Sequence, residues 1–248
     1  MRLRLLSLST VLLATLMAVP ALAKEPAPKT RTAADAVTPA DSPNPYSQKG
    51  FLSRAKDKEI ELIFLGDSIT EFWQLPDKGK PVWEQHYAKY NVANFGVSSE
   101  KTEHTLGHIA GGVLDGLKAK VVVILIGTNN IGHNPPDKPE WTAAGVRKIV
   151  TTVHKKMPKT KVLLLGVFPR DKKNSPSRKA VEQINALISK LDDGKRTRYL
   201  DLTPKLVDDA GEIPQDIMPD GLHPSADGYA IWAEAMQPLL EEMMAEKP

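Results

Sequence analysis

The stretch Leu62-Ile63-Phe64-Leu65-Gly66-Asp67-Ser68-Ile69-Thr70 decides how the chain is read: an apolar run stops at a glycine and hands over to a serine. A short continuous apolar run is the pattern of a strand buried on both faces of a parallel sheet. In open α/β sheets ligands bind beyond the carboxyl ends of such strands, so Ser68 is predicted to lie where chemistry occurs. Gly66 permits a tight turn, and Asp67 and Ser68 are residue types that cap a following helix, whose N-terminus gathers backbone N–H donors. On this stretch alone, Ser68 is equally well read as that cap.

The same apolar pattern recurs along the chain. Strands are predicted over 60–65, 92–95, 121–126, 162–168 and 199–202, with helical segments over 51–56, 82–87, 105–109, 141–157 and 178–191. A last helix starts after Ser225 as N-cap, and Pro238 is expected to kink or break it. Strands alternating with helices predict a three-layer α/β domain, a five-stranded parallel sheet with helices on both faces.

Before this domain, residues 1–23 run from Met1-Arg2-Leu3-Arg4 through an apolar stretch to Ala21-Leu22-Ala23, the pattern of a secretory signal peptide. It is too short for a stable membrane span, so no membrane insertion is expected after cleavage, and the address is secreted or periplasmic. Removing Arg2 and Arg4 with this segment leaves 31 basic against 30 acidic side chains, a balance that argues against a nucleic-acid partner. The chain has no cysteine, which excludes disulfides and a thiol nucleophile. Residues 24–46 carry Pro, Ala, Thr and Lys with almost no large apolar side chains and read as a flexible leader before a domain at 47–248.

If the strands run parallel, the loops after the first three open on one edge of the sheet. Ser68, the Ser98-Ser99 turn and Asn129 then converge there. A serine that attacks an ester needs a general base, the base needs a group that fixes its tautomer, and the oxyanion needs preorganised donors. Asn129 is a donor of that kind. Asp220 and His223 stand three residues apart just before the last helix, close enough for the carboxylate to accept from one imidazole nitrogen. Taken singly, His223 reads as a turn histidine and Asn129 as a turn former; taken jointly, the four residues read as a site. His104, His108 and His133, with Glu103 or Asp115, show no convincing metal-ligand spacing, so neither metal nor cofactor is expected. His133, close to Asn129, is a candidate for the pocket wall.

Gly66-Asp67-Ser68-Ile69-Thr70, Gly127-Thr128-Asn129-Asn130 and Asp220-Gly221-Leu222-His223-Pro224 resemble, in order and spacing, three sequence blocks of the GDSL/SGNH hydrolases. The resemblance extends over roughly residues 51–240. It is to the branch holding the platelet-activating-factor acetylhydrolase catalytic subunits and bacterial GDSL-like lipases and acylhydrolases. It implies a flavodoxin-like sheet of order 2-1-3-4-5, with Ser68 as nucleophile, His223 as base and Asp220 as its orienting partner. It also implies oxyanion donors from the Ser68 N–H and the Asn129 side chain. Where the branch usually reads Gly-x-Gly-Gly-Asp, this chain reads Gly96-Val97-Ser98-Ser99-Glu100. Alignment on Asn94-Phe95-Gly96 puts the third oxyanion donor, a backbone N–H, at Ser99, where a serine should resist φ values that glycine tolerates.

The expected function is that of a secreted serine esterase removing a small acyl group, acetyl above others, from an oxygen ester on a carbohydrate or small molecule. The alternatives are a lipase, lysophospholipase or thioesterase and, in another class, a catalytically silent glycan-binding protein.

Overall fold

A computed structural model describes residues 30–245. The expected signal peptide lies outside the described residues. Five parallel strands, β1 (Leu62–Gly66), β2 (Val92–Gly96), β3 (Val121–Leu125), β4 (Lys161–Leu165) and β5 (Thr197–Leu200), form one sheet in the order β2-β1-β3-β4-β5. Leu62 pairs with both Val92 and Val121, and Gly66 with Gly96 and Leu125, so the first three strands end in register. Their loops therefore open side by side.

Because side chains alternate across a strand, successive residues serve two cores. Ile63 and Leu65 join Val122 and Ile124 on one face, and Leu62 and Phe64 join Val121 and Val123 on the other. The first face is covered by α1 (Ser47–Arg54), α4 (Thr102–Ala110), α5 (Thr128–Gly132), α6 (Pro139–Lys156) and α7 (Pro176–Ile188). The second carries α2 (Ser68–Glu71), α3 (Lys80–His86), α8 (Thr203–Leu206) and α9 (Ala226–Ala245). There Trp73, Trp83 and Tyr87 pack around Phe64, and Trp232 packs on Trp73, as a cluster of tilted and edge-on rings. Full burial of one large apolar side chain stabilises by roughly 1.5–3 kcal/mol, so a core of this size holds the fold without cross-links.

Pro238 does not break α9. A proline inside a helix forfeits one backbone hydrogen bond. Here Met236 and Leu240, on either side of it, are fully buried against the sheet and hold the helix on course.

The largest departure from expectation is at the start. Of the expected flexible leader, residues 31–40 touch the domain, while 41–46 are mostly exposed. Ala36, in a short 3-10 turn, is fully buried, and Arg31 forms ion pairs with Glu103 and Asp137. Composition predicts disorder when apolar burial is the only source of stability; here buried ion pairs and the close fit of small residues substitute for it. Among the described residues, no helix is long and apolar enough to cross a membrane.

Candidate active site

Gly66 ends β1 where the Thr70 side chain and the Leu125 carbonyl approach so closely that a Cβ would collide with both. The chain then turns at Asp67, whose Oδ1 caps α2 by accepting the Ile69 N–H at 3.0 Å. The cap is thus Asp67, and Ser68 is left as the first helical residue, where its own N–H has no intrahelical acceptor. Burial pushes the Asp67 carboxyl up to about 7, against the Ile69 hydrogen bond and with the nearby Glu100 adding to the rise.

Ser68 Oγ lies 2.9 Å from His223 Nε2, and His223 Nδ1 lies 2.7 Å from Asp220 Oδ2. The second oxygen of Asp220 accepts the backbone N–H groups of Leu222 (3.0 Å) and His223 (2.7 Å). Partial burial would raise the Asp220 pKa, but these bonds and the His223 ring outweigh it and hold the carboxyl below its usual range. An ionised carboxylate only accepts, which assigns the proton of a neutral His223 to Nδ1 and leaves Nε2 to accept from the Ser68 hydroxyl. The arrangement can take a proton from a serine as it attacks.

Two contacts outside the sequence reading set the histidine in place. The Phe72 ring, one residue past α2, lies 5.0 Å from the His223 ring, centroid to centroid. Tyr229, in α9, donates its hydroxyl to the Ile69 carbonyl at 2.6 Å and ties the helix after His223 to the helix that begins with Ser68. Neither is visible in sequence, because each joins residues about 150 positions apart in the chain.

On the opposite side, Val97 to Glu100 form a turn closed by the Glu100 N–H to the Val97 carbonyl at 3.3 Å. Ser99, its third residue, has φ +66°. This is the region a glycine would occupy without strain, so the serine adopts the conformation expected of the residue it replaces. Ser99 is exposed, and Glu100 is fully buried beneath it. Asn129, at the second position of α5, donates from Nδ2 to the Glu100 carbonyl at 2.9 Å, which brings the Asn129 amide and the Ser99 turn together. That bond uses one amide hydrogen and leaves the other to donate.

Two of the other histidines have partners of their own. His108 Nε2 sits 2.7 Å from Glu100 Oε1, with Gln48 at its other nitrogen. His104 Nδ1 accepts the Lys101 N–H at 3.0 Å. His133 Nε2 lies 3.4 Å from Asp137 Oδ1 without a hydrogen-bond partner, and burial pushes its pKa down.

Comparisons with known proteins give the family and the fold. The model of the GDSL-like lipase/acylhydrolase family matches residues 64–231, which takes in Ser68, Ser99, Asn129, Asp220 and His223. The human platelet-activating factor acetylhydrolase IB subunit alpha1 is 32% identical over 197 residues, covering 79% of this chain and 82% of the relative. The alpha2 subunit from Gallus gallus is 30% identical over 199 residues, with 80% and 83% covered. Among solved structures, a GDSL-like lipase from Bacteroides thetaiotaomicron superimposes with a TM-score of 0.66 at 19% identity, over 79% of this chain and 97% of its own. An acetylxylan esterase from Geobacillus stearothermophilus does so with a TM-score of 0.56 at 19% identity, over 76% and 97%. This chain belongs to the GDSL-like lipase/acylhydrolase family and is an ester hydrolase.

Proposed function

We propose that the protein is an exported serine esterase that removes acetyl groups from oxygen esters, with Ser68 as nucleophile, His223 as base and Asp220 as the group that orients it. The observation that carries this reading is the 2.9 Å contact of Ser68 Oγ with His223 Nε2, backed by Asp220 at 2.7 Å. His223 takes the Ser68 proton as Oγ bonds to the ester carbonyl carbon. The resulting oxyanion accepts from the N–H groups of Ser68 and Ser99 and from Asn129. Its collapse breaks the bond to the alcohol, which leaves with the proton from His223. Water then gives a proton to His223 and adds to the acyl carbon; collapse breaks the bond to Ser68 Oγ, which takes the proton back from His223, and acetate is released.

The choice of acetyl is supported by the names of the acetylhydrolase relatives. A carbohydrate acceptor is favoured by the export signature in residues 1–23, since an exported enzyme meets polymers of the envelope and its surroundings. The 32% identity to a platelet-activating factor acetylhydrolase subunit supports a second reading, an acetyl ester on a phospholipid. Acetate release from a panel of acetylated polysaccharides, run beside acetylated phospholipid and p-nitrophenyl esters of rising chain length, tests both. Turnover on polysaccharide and on the short ester supports the first reading. Turnover on the lipid alone replaces it with the second, and a preference for long chains contradicts both.

A further inference from the structure

Arg31 belongs to the segment whose composition reads as free leader, yet its guanidinium is inserted between two buried carboxylates. Nε and Nη2 donate to the two oxygens of Asp137 at 2.6 and 2.9 Å, and Nη1 lies 2.7 Å from Glu103 Oε1. Glu103 and Asp137 are each only 3% exposed. Burial works against the Asp137 charge, but Arg31 and Asn130 hold the carboxyl below its usual range.

Asn130 completes the cluster. Its Nδ2 lies within donating distance of Asp137 Oδ2 (3.0 Å), Glu103 Oε2 (3.3 Å) and Thr102 Oγ1 (3.1 Å), while its Oδ1 accepts the Thr102 N–H at 3.0 Å. Thr102 and Glu103 open α4, immediately after the turn that holds Ser99. Asn130 follows Asn129 in α5. The cluster thus joins the two elements that present Ser99 and Asn129. The arginine is held there by its own segment. Thr102 Oγ1 donates to the Ala36 carbonyl at 2.9 Å, and the Ala40 N–H donates to the Glu103 carbonyl at 3.0 Å. Gly107 is required beneath it, because a Cβ there would collide with the Ala40 carbonyl.

We propose that Arg31 is a positioning residue that clamps the Ser99 turn to the Asn129 helix and so sets the geometry of the oxyanion site from outside it. The proposal rests on the reading of Ser99 and Asn129 as oxyanion donors. Without the guanidinium, two buried carboxylates face each other across one amide, with Lys101 and the His133 ring as the nearby groups that can carry positive charge. Like charges in a low-dielectric site repel, so either one carboxyl takes up a proton or α4 and α5 move apart. Either change alters the acceptors that Asn130 holds between α4 and α5, and through Asn130 the placement of Asn129 relative to Ser99. None of the contacts that join Ser68, His223 and Asp220 involves this cluster, so the nucleophile and its base stay in place.

The test uses Arg31→Ala and Arg31→Lys in the full chain, assayed on p-nitrophenyl acetate at a temperature where near-UV circular dichroism shows each to be folded. We expect Arg31→Ala to lower kcat about tenfold to a hundredfold through misplaced donors, with KM within about twofold of wild type. Methylguanidinium added at millimolar concentration should restore part of the lost kcat. A lysine cannot fork across two carboxylates, so Arg31→Lys should fall between Arg31→Ala and wild type. A lower melting temperature with unchanged kcat would overturn the clamp. If Arg31→Ala does not fold, a folded Arg31→Lys with wild-type kcat would overturn it equally. Asn129→Ala, measured alongside, separates the two claims. If it leaves kcat intact, the oxyanion reading itself is wrong and the clamp falls with it. If it lowers kcat while Arg31→Ala does not, only the clamp is wrong.

Discussion

Glu71 Oε2 accepts both the backbone N–H of Ser98, at 2.7 Å, and the Ser98 hydroxyl. Glu71 closes the short helix that Ser68 opens, so this one carboxylate makes the serine and the neighbouring turn a single unit. Asn94 adds a second tie, donating to the Thr70 carbonyl at 2.7 Å and accepting the Gly96 N–H at 2.8 Å.

Glu71→Ala is expected to lower kcat on p-nitrophenyl acetate by about tenfold or more while KM changes little, because the turn loses its register against Ser68. Glu71→Gln keeps an acceptor oxygen and should lose less. Steady-state kinetics of the two variants check this. A rise in KM with kcat unchanged would instead place the Ser98 turn among the substrate contacts.

Ser99 separates backbone from side chain. Its φ of +66° suits glycine, so Ser99→Gly should leave kcat near wild type and shift stability by no more than about 1 kcal/mol, relief of strain being offset by a more flexible unfolded chain. Ser99→Pro removes the N–H and forces φ to about −65°, and should raise the barrier by about 2.7–4 kcal/mol or more. Kinetics with circular dichroism as a control decide it. Tolerance of proline with damage from glycine would move the oxyanion donor elsewhere.

Asn129→Ala should reduce kcat about 10²- to 10³-fold by removal of one oxyanion donor. The same change cuts the bond to the Glu100 carbonyl, so Asn129→Asp, which keeps the shape and loses the donor, should be as slow. An Asn129→Asp enzyme with near wild-type kcat would remove Asn129 from the oxyanion site.

Asp67 makes stability depend on pH in a direction opposite to most carboxylates. Burial raises its pKa from the ordinary 3.8 to about 7, so across that window the folded state holds a proton that the unfolded state has lost. Its contribution is full below about pH 4 and disappears as pH rises through 7. Asp67→Asn keeps the oxygen that accepts the Ile69 N–H and removes the titration. Melting temperatures measured from pH 4 to pH 8 should therefore fall more steeply for wild type than for Asp67→Asn. Parallel curves would contradict the shift.

The sheet was legible because β1, β3 and β4 are buried along their whole length and read as nearly continuous apolar runs, while β2, interrupted by the half-buried Asn94, gives a weaker one. For the edge strand β5 (Thr197–Leu200) the sequence pattern predicts 199–202, two residues late, since its half-buried side chains give no such run. The meeting of Ser68, Asp220 and His223 was legible because Ser68 follows a strand end and Asp220 and His223 stand three residues apart in the turn before the last helix, each with a partner of matching chemistry. The hold of Glu71 on Ser98, the Phe72 ring beside His223 and the Arg31 clamp were not, since each depends on which distant loops the fold brings together. The contacts of the segment after residue 30 are invisible in sequence for the same reason: alanines and one arginine carry no apolar pattern, and their partners lie far along the chain.

The most direct measurement is intact-mass and peptide mass spectrometry of the protein after treatment with a fluorophosphonate, paired with hydrolysis of p-nitrophenyl acetate. The account predicts one adduct per chain, on Ser68, with hydrolysis lost in step with labelling. It also predicts no adduct in Ser68→Ala and greatly slowed labelling in His223→Ala. Labelling at another residue, or near wild-type hydrolysis by Ser68→Ala, would contradict it.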